Sequence, residues 1–328
     1  MSRRPARAVA LLGLAATLAV AACGGGSDDD AGSAPSAAAG QPSAGAPAPG
    51  ATGTAPPAAP SAAPSPATPA ELPRGGRTVL PAQRVVAFYG EGYRNGIGLI
   101  DVDDLDGVAA NIQRQADGYA DYDRPVLPAM ELIATNAVRN PGPDGSYSLK
   151  LDDATIDRYL AAARKHKMLL ILDFQPGTDE FLPQVKRYEK YLTQPDVAIG
   201  LDPEWRTPGS RPYAGTGSTT ADEVNAVQDY LVELIRREKL PQKLFVVHQF
   251  TAAMVRDRDE IRTPAELAVV FHMDGIGPPD LKKEVYDVLS VDQPFRNGFK
   301  VFPTLDKPSM SPAQVMALSP QPEVITYQ

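Results

Sequence analysis

DVAIGLDPEW, residues 196–205, is an apolar run that ends in two carboxylates and the only tryptophan of the chain. Its apolar residues form a short continuous run, which is typical of a buried β-strand. Side chains alternate along a strand, so Asp202 and Glu204, two positions apart, point to the same side. The stretch therefore predicts a core strand that delivers acidic groups at its C-terminal end.

Seven further stretches repeat this pattern of a short apolar run with polar residues at its end. Segments that could form helices separate them, and the clearest apolar helical faces lie at 155–167, 181–192 and 220–239. The segments after the fifth, sixth and seventh strands are weaker. The eight predicted strands are residues 84–90, 124–134, 167–177, 196–205, 243–250, 267–275, 298–306 and 323–328.

Strands that alternate with helices favour an α/β fold with parallel pairing, and eight such units predict a (β/α)8 TIM barrel over residues 76–328. The alternative is an open doubly wound sheet. Against it, FYGEGYRNG (residues 88–96) follows the first strand without the GxGxxG spacing of a dinucleotide-binding turn. The last strand lies at the end of the sequence, so the last helix is expected to be missing.

The N-terminal residues predict the location of the protein. A basic start and the apolar run ALLGLAATLAVAA predict an export signal peptide over residues 1–22, and VAAC resembles a lipobox whose cysteine, Cys23, becomes lipidated. Residues 23–75, rich in Ala, Pro, Gly and Ser, predict a disordered tether. The expected location is the outer face of the cell membrane, to which the lipid on Cys23 anchors the exported protein.

Composition narrows the possible partners. The net charge is -8, and no block of Lys and Arg follows the signal, which argues against nucleic acid as a partner. Cys23 is the only cysteine, which excludes an internal disulfide and a catalytic thiolate in the folded part. A monomer is expected.

The site of a TIM barrel lies at the C-terminal ends of its strands, so the polar residues at those ends form the candidate site. On the fourth strand, alternation predicts that Ala198, Gly200, Asp202 and Glu204 face inward. The candidate catalytic residues are Glu204, Asp202 and Asp173, and the candidate substrate-binding residues are Tyr89, Glu131, Gln175, Trp205, His248, Gln249, His272, Asp274, Lys300 and Tyr327.

Paired carboxylates beside a tryptophan point to cleavage of glycosidic bonds, in which a carboxylic acid protonates the leaving oxygen. The second carboxylate could be Asp173, Glu131 or Asp274. No cofactor is expected. The D-x-E end of the fourth strand resembles that of barrel glycoside hydrolases of the chitinase and cell-wall muramidase kinds. More broadly, LDFQPG, LDPEW and HQF resemble elements of uncharacterised actinobacterial-type lipoproteins with a glycosidase-like barrel.

The resemblance to these hydrolases implies that Glu204 is the general acid, that Asp202 is its partner, and that the substrate is a cell-wall or extracellular polysaccharide. Two departures bear on the mechanism. The further aspartates of the chitinase signature are absent upstream, and the seventh strand carries Lys300 where many retaining glycosidases have a nucleophilic carboxylate. Inversion or substrate assistance therefore fits better than ordinary retention.

Two other functions fit the same residues. One is a glycan-binding lipoprotein without turnover, which holds its ligand with Trp205, Tyr89 and Tyr327. The other is a metal-dependent hydrolase that uses His248, His272 and Asp274 as ligands.

Overall fold

The computed structural model describes residues 69–94 and 96–328. The predicted signal peptide, Cys23 and most of the predicted tether lie outside these described residues. The strands are β1 (Arg84–Gly90), β2 (Val126–Ala137), β3 (Ser148–Lys150), β4 (Leu169–Phe174), β5 (Val197–Leu201), β6 (Thr219–Thr220), β7 (Lys243–Gln249), β8 (Val255–Arg256), β9 (Leu267–Met273), β10 (Arg296–Val301) and β11 (Val324–Tyr327).

Eight of these strands pair in parallel to form a closed barrel in the order β1, β2, β4, β5, β7, β9, β10, β11. The sheet closes because β1 pairs with both β2 and β11, so the alternative of an open doubly wound sheet is wrong. All eight predicted strands are confirmed, as is the TIM-barrel-like α/β fold. Outside the barrel, β3 pairs antiparallel with the end of β2, and β6 pairs with β8.

Helices lie between the strands and number fewer than the strands. Between β7 and β9 the described chain has β8 and two short 3-10 turns but no α-helix, in line with the weak helical pattern there. In the part of the chain that the structure describes, no helix combines the length and the hydropathy needed to cross a bilayer. The helices are α1 (Leu105–Asp117), α2 (Asp153–Lys165), α3 (Phe181–Arg187), α4 (Glu189–Leu192), α5 (Ala221–Glu238), α6 (Pro279–Leu289) and α7 (Pro312–Met316).

Local sequence explains where the longest helix begins and ends. The side chain of Thr220 accepts a hydrogen bond from the backbone N–H of Glu223, which satisfies one of the free donors in the first turn of α5. The helix ends at Glu238, and the next residue, Lys239, has a φ of 54° in the left-handed region, which turns the chain toward β7.

Side chains alternate between the two faces of each barrel strand, so one apolar layer lies inside the barrel and a second lies between the strands and the helices. On β5, Ala198 belongs to the inner cluster, while Val197, Ile199 and Leu201 belong to the outer cluster between strands and helices, as the sequence predicted. The inner cluster also contains Val85, Ala87, Leu127, Ala129, Leu169, Ile171, Leu244, Val246, Ala268, Val270 and Val324.

Residues 69–83 close the N-terminal end of the barrel. Leu72, Val79 and Leu80 join the inner apolar cluster, and Gln242 accepts hydrogen bonds from the backbone N–H groups of Val79 and Leu80 at 3.0 and 3.2 Å. Leu72 is 4% exposed, so the packed domain begins before Gly76, where the sequence set its boundary. Access to the barrel interior is therefore left to the C-terminal ends of the strands.

Candidate active site

Above the inner apolar cluster, each of the eight barrel strands contributes one polar side chain to the C-terminal end of the barrel. Side chains alternate between the two faces of a strand, and each of these residues lies two or four positions after an inward-facing residue of its strand. Each therefore faces the barrel interior as well. None of them is more than 3% exposed. In barrel order they are Tyr89, Glu131, Asp173, Asp202, His248, His272, Lys300 and Thr326.

His248 is the ring residue that lies close to several carboxyl groups. Its Nε2 is 3.1 Å from Glu131 Oε1 and 3.5 Å from Asp173 Oδ1, and its Nδ1 is 3.2 Å from Asp274 Oδ2. The ring of His272 packs beside it, with the two centroids 5.0 Å apart. One imidazole thus contacts three carboxyl groups from three strands or strand ends.

The outer oxygens of the two deep carboxyl groups are held by hydroxyl groups. Tyr89 donates to Asp173 Oδ2 at 2.9 Å, and Thr326 donates to Glu131 Oε2 at 3.1 Å. Lys300 Nζ lies 3.6 Å from the centroid of the Tyr89 ring, a cation–π contact. These contacts fix the orientation of both carboxyl planes.

Gln175 connects this group to Asp202. Its Nε2 donates to the Tyr89 hydroxyl at 3.1 Å and to Asp202 Oδ2 at 3.4 Å. Its Oε1 accepts from the backbone N–H of Ala137 at 3.2 Å, so the amide is fixed at both ends.

Two glycines make room for these side chains. A Cβ on Gly200 would lie 2.7 Å from Asp173 Oδ1 and 3.4 Å from Glu131 Oε1, and a Cβ on Gly298 would lie 2.4 Å from His272 Cδ2. Both glycines belong to inward positions of barrel strands. Any larger residue there would displace the polar ring.

The carboxyl groups of this site differ in their affinity for protons. Burial raises the pKa of Asp173 to about 6 and the pKa of Asp202 well above its usual range, and the negative charges of neighbouring acids add to both shifts. Burial and the nearby charge of Asp274 raise the pKa of Glu204 to about 7. Glu204 therefore keeps a large protonated fraction near neutral pH.

Asp274 and Glu131 behave in the opposite way. Burial acts to raise the pKa of each, but contact with His248 and the charge of Lys300 outweigh burial, so both pKa values fall below the usual range. Burial likewise acts to lower the pKa of His248, but Asp274 and Glu131 raise it well above its usual value. Burial and the charges of His248 and Lys300 depress the pKa of His272, which stays neutral.

Glu204 stays partly exposed, whereas the side chain of Asp274 is only 7% exposed. Glu204 lies on a short 3-10 turn, Pro203–Trp205, directly after β5. Its neighbour Trp205 packs against Tyr213, with ring centroids 4.6 Å apart, and the Arg139 guanidinium covers the Tyr213 ring at 4.2 Å. Two aromatic side chains therefore lie next to Glu204, the most accessible acid of the site.

Exposed apolar side chains surround this end of the barrel. They lie on the connections that follow β1, β2, β5, β9 and β10, and each is at least 39% exposed. Exposed apolar side chains around a polar site are typical of a ligand-binding surface. They are Tyr93, Ile97, Leu149, Tyr213, Ile276 and Leu305.

Two predicted site residues lie neither in the ring nor next to it. Gln249 is on the outer face of β7, where it accepts from Arg258 at 3.0 Å and donates to the carbonyl of Thr251. Tyr327 is on the outer face of β11, where its hydroxyl shares a hydrogen bond with that of Tyr119. Both follow an inward residue by one position, so strand alternation turns them toward the helices.

Two residues of the site escaped the sequence analysis. Thr326 is the inward residue of β11 and was detectable by counting in twos from Val324, which lies in the inner cluster. Tyr213 lies in the long loop after Trp205, and only the fold brings it against that residue. All other predicted site residues lie in the ring or next to it.

Several buried polar atoms of the site have no hydrogen-bond partner within the described protein. They include Asp173 Oδ1, Asp202 Oδ1, Asp274 Oδ1 and both ring nitrogens of His272. Buried polar atoms of native proteins nearly always have a partner, so this site has room for hydrogen bonds or ligand bonds beyond its own side chains.

The ligand atoms that could hold a metal ion are not those of the predicted trio His248, His272 and Asp274. Among the described residues, the group that converges consists of Glu131, Asp173 and His248, whose ligand atoms all lie within 4.8 Å of one another. His272 does not belong to this group, and its ring lies over Gly298 and beside the ring of His248.

No protein-family model matches this chain, and no curated protein matches it in sequence. The fold and the site geometry are therefore the evidence from which a function can be inferred.

Proposed function

We propose that this protein is a glycoside hydrolase whose general acid is Glu204 and whose substrate is a cell-wall or extracellular polysaccharide. The observation that carries the proposal is the contrast between two neighbouring acids. Glu204 has a pKa of about 7 and can donate a proton near neutral pH, whereas the pKa of Asp274 is lowered and its carboxylate stays ionised. Pairs of carboxyl groups with opposite shifts are the usual arrangement of an acid and its partner.

The chemistry follows from that contrast. Glu204 gives its proton to the glycosidic oxygen as the bond to the sugar carbon breaks, and the leaving group departs as an alcohol. Asp274 supplies the negative charge that balances the positive charge of the sugar ring, and it accepts a proton from the attacking water. The sequence analysis named Asp173, Glu131 and Asp274 as candidates for the second carboxylate, and Asp274 is preferred because its charge acts directly on Glu204.

The surroundings of Glu204 support a sugar as the ligand. Trp205 and Tyr213 offer aromatic faces, and apolar C–H faces of a sugar ring stack on such surfaces. The exposed apolar side chains on the surrounding connections extend this surface, and polar groups below it can bind hydroxyl groups.

Export and anchoring complete the proposal. Their basis is the sequence, namely the signal-like residues 1–22 and the lipobox-like VAAC around Cys23, which resemble those of actinobacterial-type lipoproteins. A lipid anchor at Cys23 would keep the enzyme on the outer face of the membrane. A Cys23→Ala variant would then appear in the culture medium rather than in the membrane fraction.

The decisive test measures release of reducing ends from purified wall glycan and from secreted polysaccharides. Glu204→Gln should lower the rate at least about 100-fold, the usual contribution of a general acid, with little change in glycan affinity. Glu180→Gln is the matched control, because this exposed glutamate precedes α3 at the same end of the barrel but outside the site. Binding without release by the wild type would instead favour the non-catalytic glycan-binding alternative.

A further inference from the structure

We propose that Glu131, Asp173 and His248 form a buried binding site for one divalent metal ion of the Zn²⁺ or Mn²⁺ class, below the mouth of the barrel. This site is independent of the proposed hydrolysis, since metal binding can be measured without any glycan.

The distances among the three residues match a shared ion. Two ligand atoms that each lie about 2.1 Å from one metal are separated by roughly 3.0 to 3.4 Å at octahedral or tetrahedral angles. His248 Nε2 is 3.1 Å from Glu131 Oε1 and 3.5 Å from Asp173 Oδ1. Both distances from His248 Nε2 are close to the spacing of neighbouring ligands, and all three ligand atoms lie within 4.8 Å of one another.

Hydrogen bonding alone does not account for this arrangement. A histidine has one hydrogen on Nε2, and a bond from it to Glu131 leaves Asp173 Oδ1 without a partner. That oxygen is fully buried, and an unpartnered buried acceptor is costly. A metal ion would satisfy the imidazole nitrogen and both oxygens at once.

Each of the three side chains also contacts another protein group on the side away from the shared position, as metal ligands usually do. His248 Nδ1 faces Asp274 Oδ2 at 3.2 Å, the pairing typical of a ligating histidine. Glu131 Oε2 accepts from Thr326, and Asp173 Oδ2 accepts from Tyr89. Glu131 and Asp173 each point one oxygen to the shared position and have the other bound by a hydroxyl group, while His248 Nδ1 lies next to the Asp274 carboxylate.

Glycine provides the space at that position. The inward oxygens of Asp173 and Glu131 lie over Gly200, at 2.7 and 3.4 Å from where its Cβ would be. An alanine at 200 would occupy the volume next to both ligand oxygens.

Charge favours a cation here. Five carboxyl groups share this end of the barrel, namely those of Glu131, Asp173, Asp202, Glu204 and Asp274, and they face one lysine and two histidines. Buried charges of one sign are stabilised by a bound ion of the other sign. One imidazole with two carboxylates is a ligand set that suits Zn²⁺ and Mn²⁺.

The test uses the full-length protein, produced with added Zn²⁺ or Mn²⁺ because the ligands are buried and an ion would enter most readily during folding. Elemental analysis should find one ion per chain. After the protein is unfolded with chelator and refolded, calorimetric titration with Zn²⁺ and with Mn²⁺ should give one site and a raised Tm.

Glu131→Gln, Asp173→Asn and His248→Gln should each weaken binding more than about 100-fold, beyond what loss of a supporting residue causes. Two controls are matched to them. His166→Gln removes a surface histidine paired with Asp106, and Glu180→Gln changes an exposed glutamate before α3 that lies outside the site. Both controls should bind as the wild type does.

Spectroscopy of the wild type covers the case in which a ligand variant does not fold. Co²⁺ bound in place of the natural ion should give the visible absorption of a site with one nitrogen and several oxygen ligands. The proposal is overturned if the wild type carries and binds no ion, if folded ligand variants keep full affinity, or if His166→Gln abolishes binding.

Discussion

Two buried groups of charged side chains lie at the same end of this barrel, and they are built in opposite ways. Lys282 on α6 donates to Asp306 Oδ2 at 2.7 Å and to the carbonyl of Lys300 at 2.8 Å. Asp306 also accepts from the backbone N–H groups of Gly277 and Phe302. One cation meets one anion, and both oxygens of the anion have partners.

The polar ring inside the barrel has the reverse character. It holds more acids than cations, several of its buried atoms lack partners, and the pKa values of its acids move in both directions. A satisfied buried pair fixes loops in place, whereas an unsatisfied acidic group is expensive unless a ligand or proton transfer uses it. The Lys282–Asp306 group is therefore a structural ion pair, and the polar ring is a candidate active site.

The largest expected effect comes from breaking the satisfied pair. Lys282→Ala leaves the Asp306 carboxylate buried without its cation and should lower the free energy of unfolding by about 3 to 5 kcal/mol. Lys283→Ala is the control, because this exposed neighbour forms an i,i+4 pair with Asp287 and should cost less than about 0.5 kcal/mol. Urea unfolding measures both. Equal losses for the two lysines would contradict the structural role of the Lys282 pair.

A smaller loss is expected from filling the space in the polar ring. Gly200→Ala places a methyl group 2.7 Å from Asp173 Oδ1 and should cost about 1 to 3 kcal/mol, since the carboxyl group must move. Gly215→Ala is the matched control, because nothing lies within 4 Å of a Cβ at that position. The same unfolding experiment compares them. If Gly200→Ala is as harmless as the control, the ring is less tightly arranged than its distances indicate.

The smallest effect has the opposite sign and depends on pH. The pKa of Glu204 rises from 4.5 to about 7 on folding, so the folded state binds more protons between these values. The free energy of unfolding therefore falls as pH rises from about 4.5 to about 7. Glu204→Gln should remove this fall and stabilise the protein by about 1 to 2 kcal/mol at pH 8.

The check is a series of unfolding curves at pH 5, 6, 7 and 8 for the wild type and Glu204→Gln, with Glu180→Gln as the exposed control. The advantage of Glu204→Gln should grow with pH while that of the control stays near zero. A variant that is less stable than the wild type at pH 8 would show that the Glu204 carboxylate is stabilised by contacts of its own.

Much of the fold could be predicted because the strands are short, apolar and separated by turn residues. The predicted first strand agrees with β1 residue for residue, and the inward face of β5 was correct at Ala198. Leu72 packs inside the barrel although its local sequence carries no signal for this packing. Residues that pack against distant parts of the chain cannot be recognised from their neighbours in sequence.

Most residues of the candidate site could be predicted from the sequence, but their arrangement in space could not. Strand ends identified Glu131, His248 and Lys300, yet the same rule admitted Gln249 and Tyr327, which alternation turns outward. Counting inward positions from a common apolar layer would have removed those two and added Thr326. The register needed for that count is a property of strand pairing.

By itself, the sequence determined the eight strands, their parallel succession and the end of the barrel at which the acids gather, because hydrophobic periodicity and strand polarity are local. Only the tertiary structure decided which acids have raised pKa values, which one remains accessible and which two oxygens lie next to His248 Nε2. Closure of the barrel brings Tyr89 to Asp173 and Thr326 to Glu131, residues that are 84 and 195 positions apart in the chain. Electrostatic shifts and ligand geometry depend on those distances through space, and a linear pattern does not contain them.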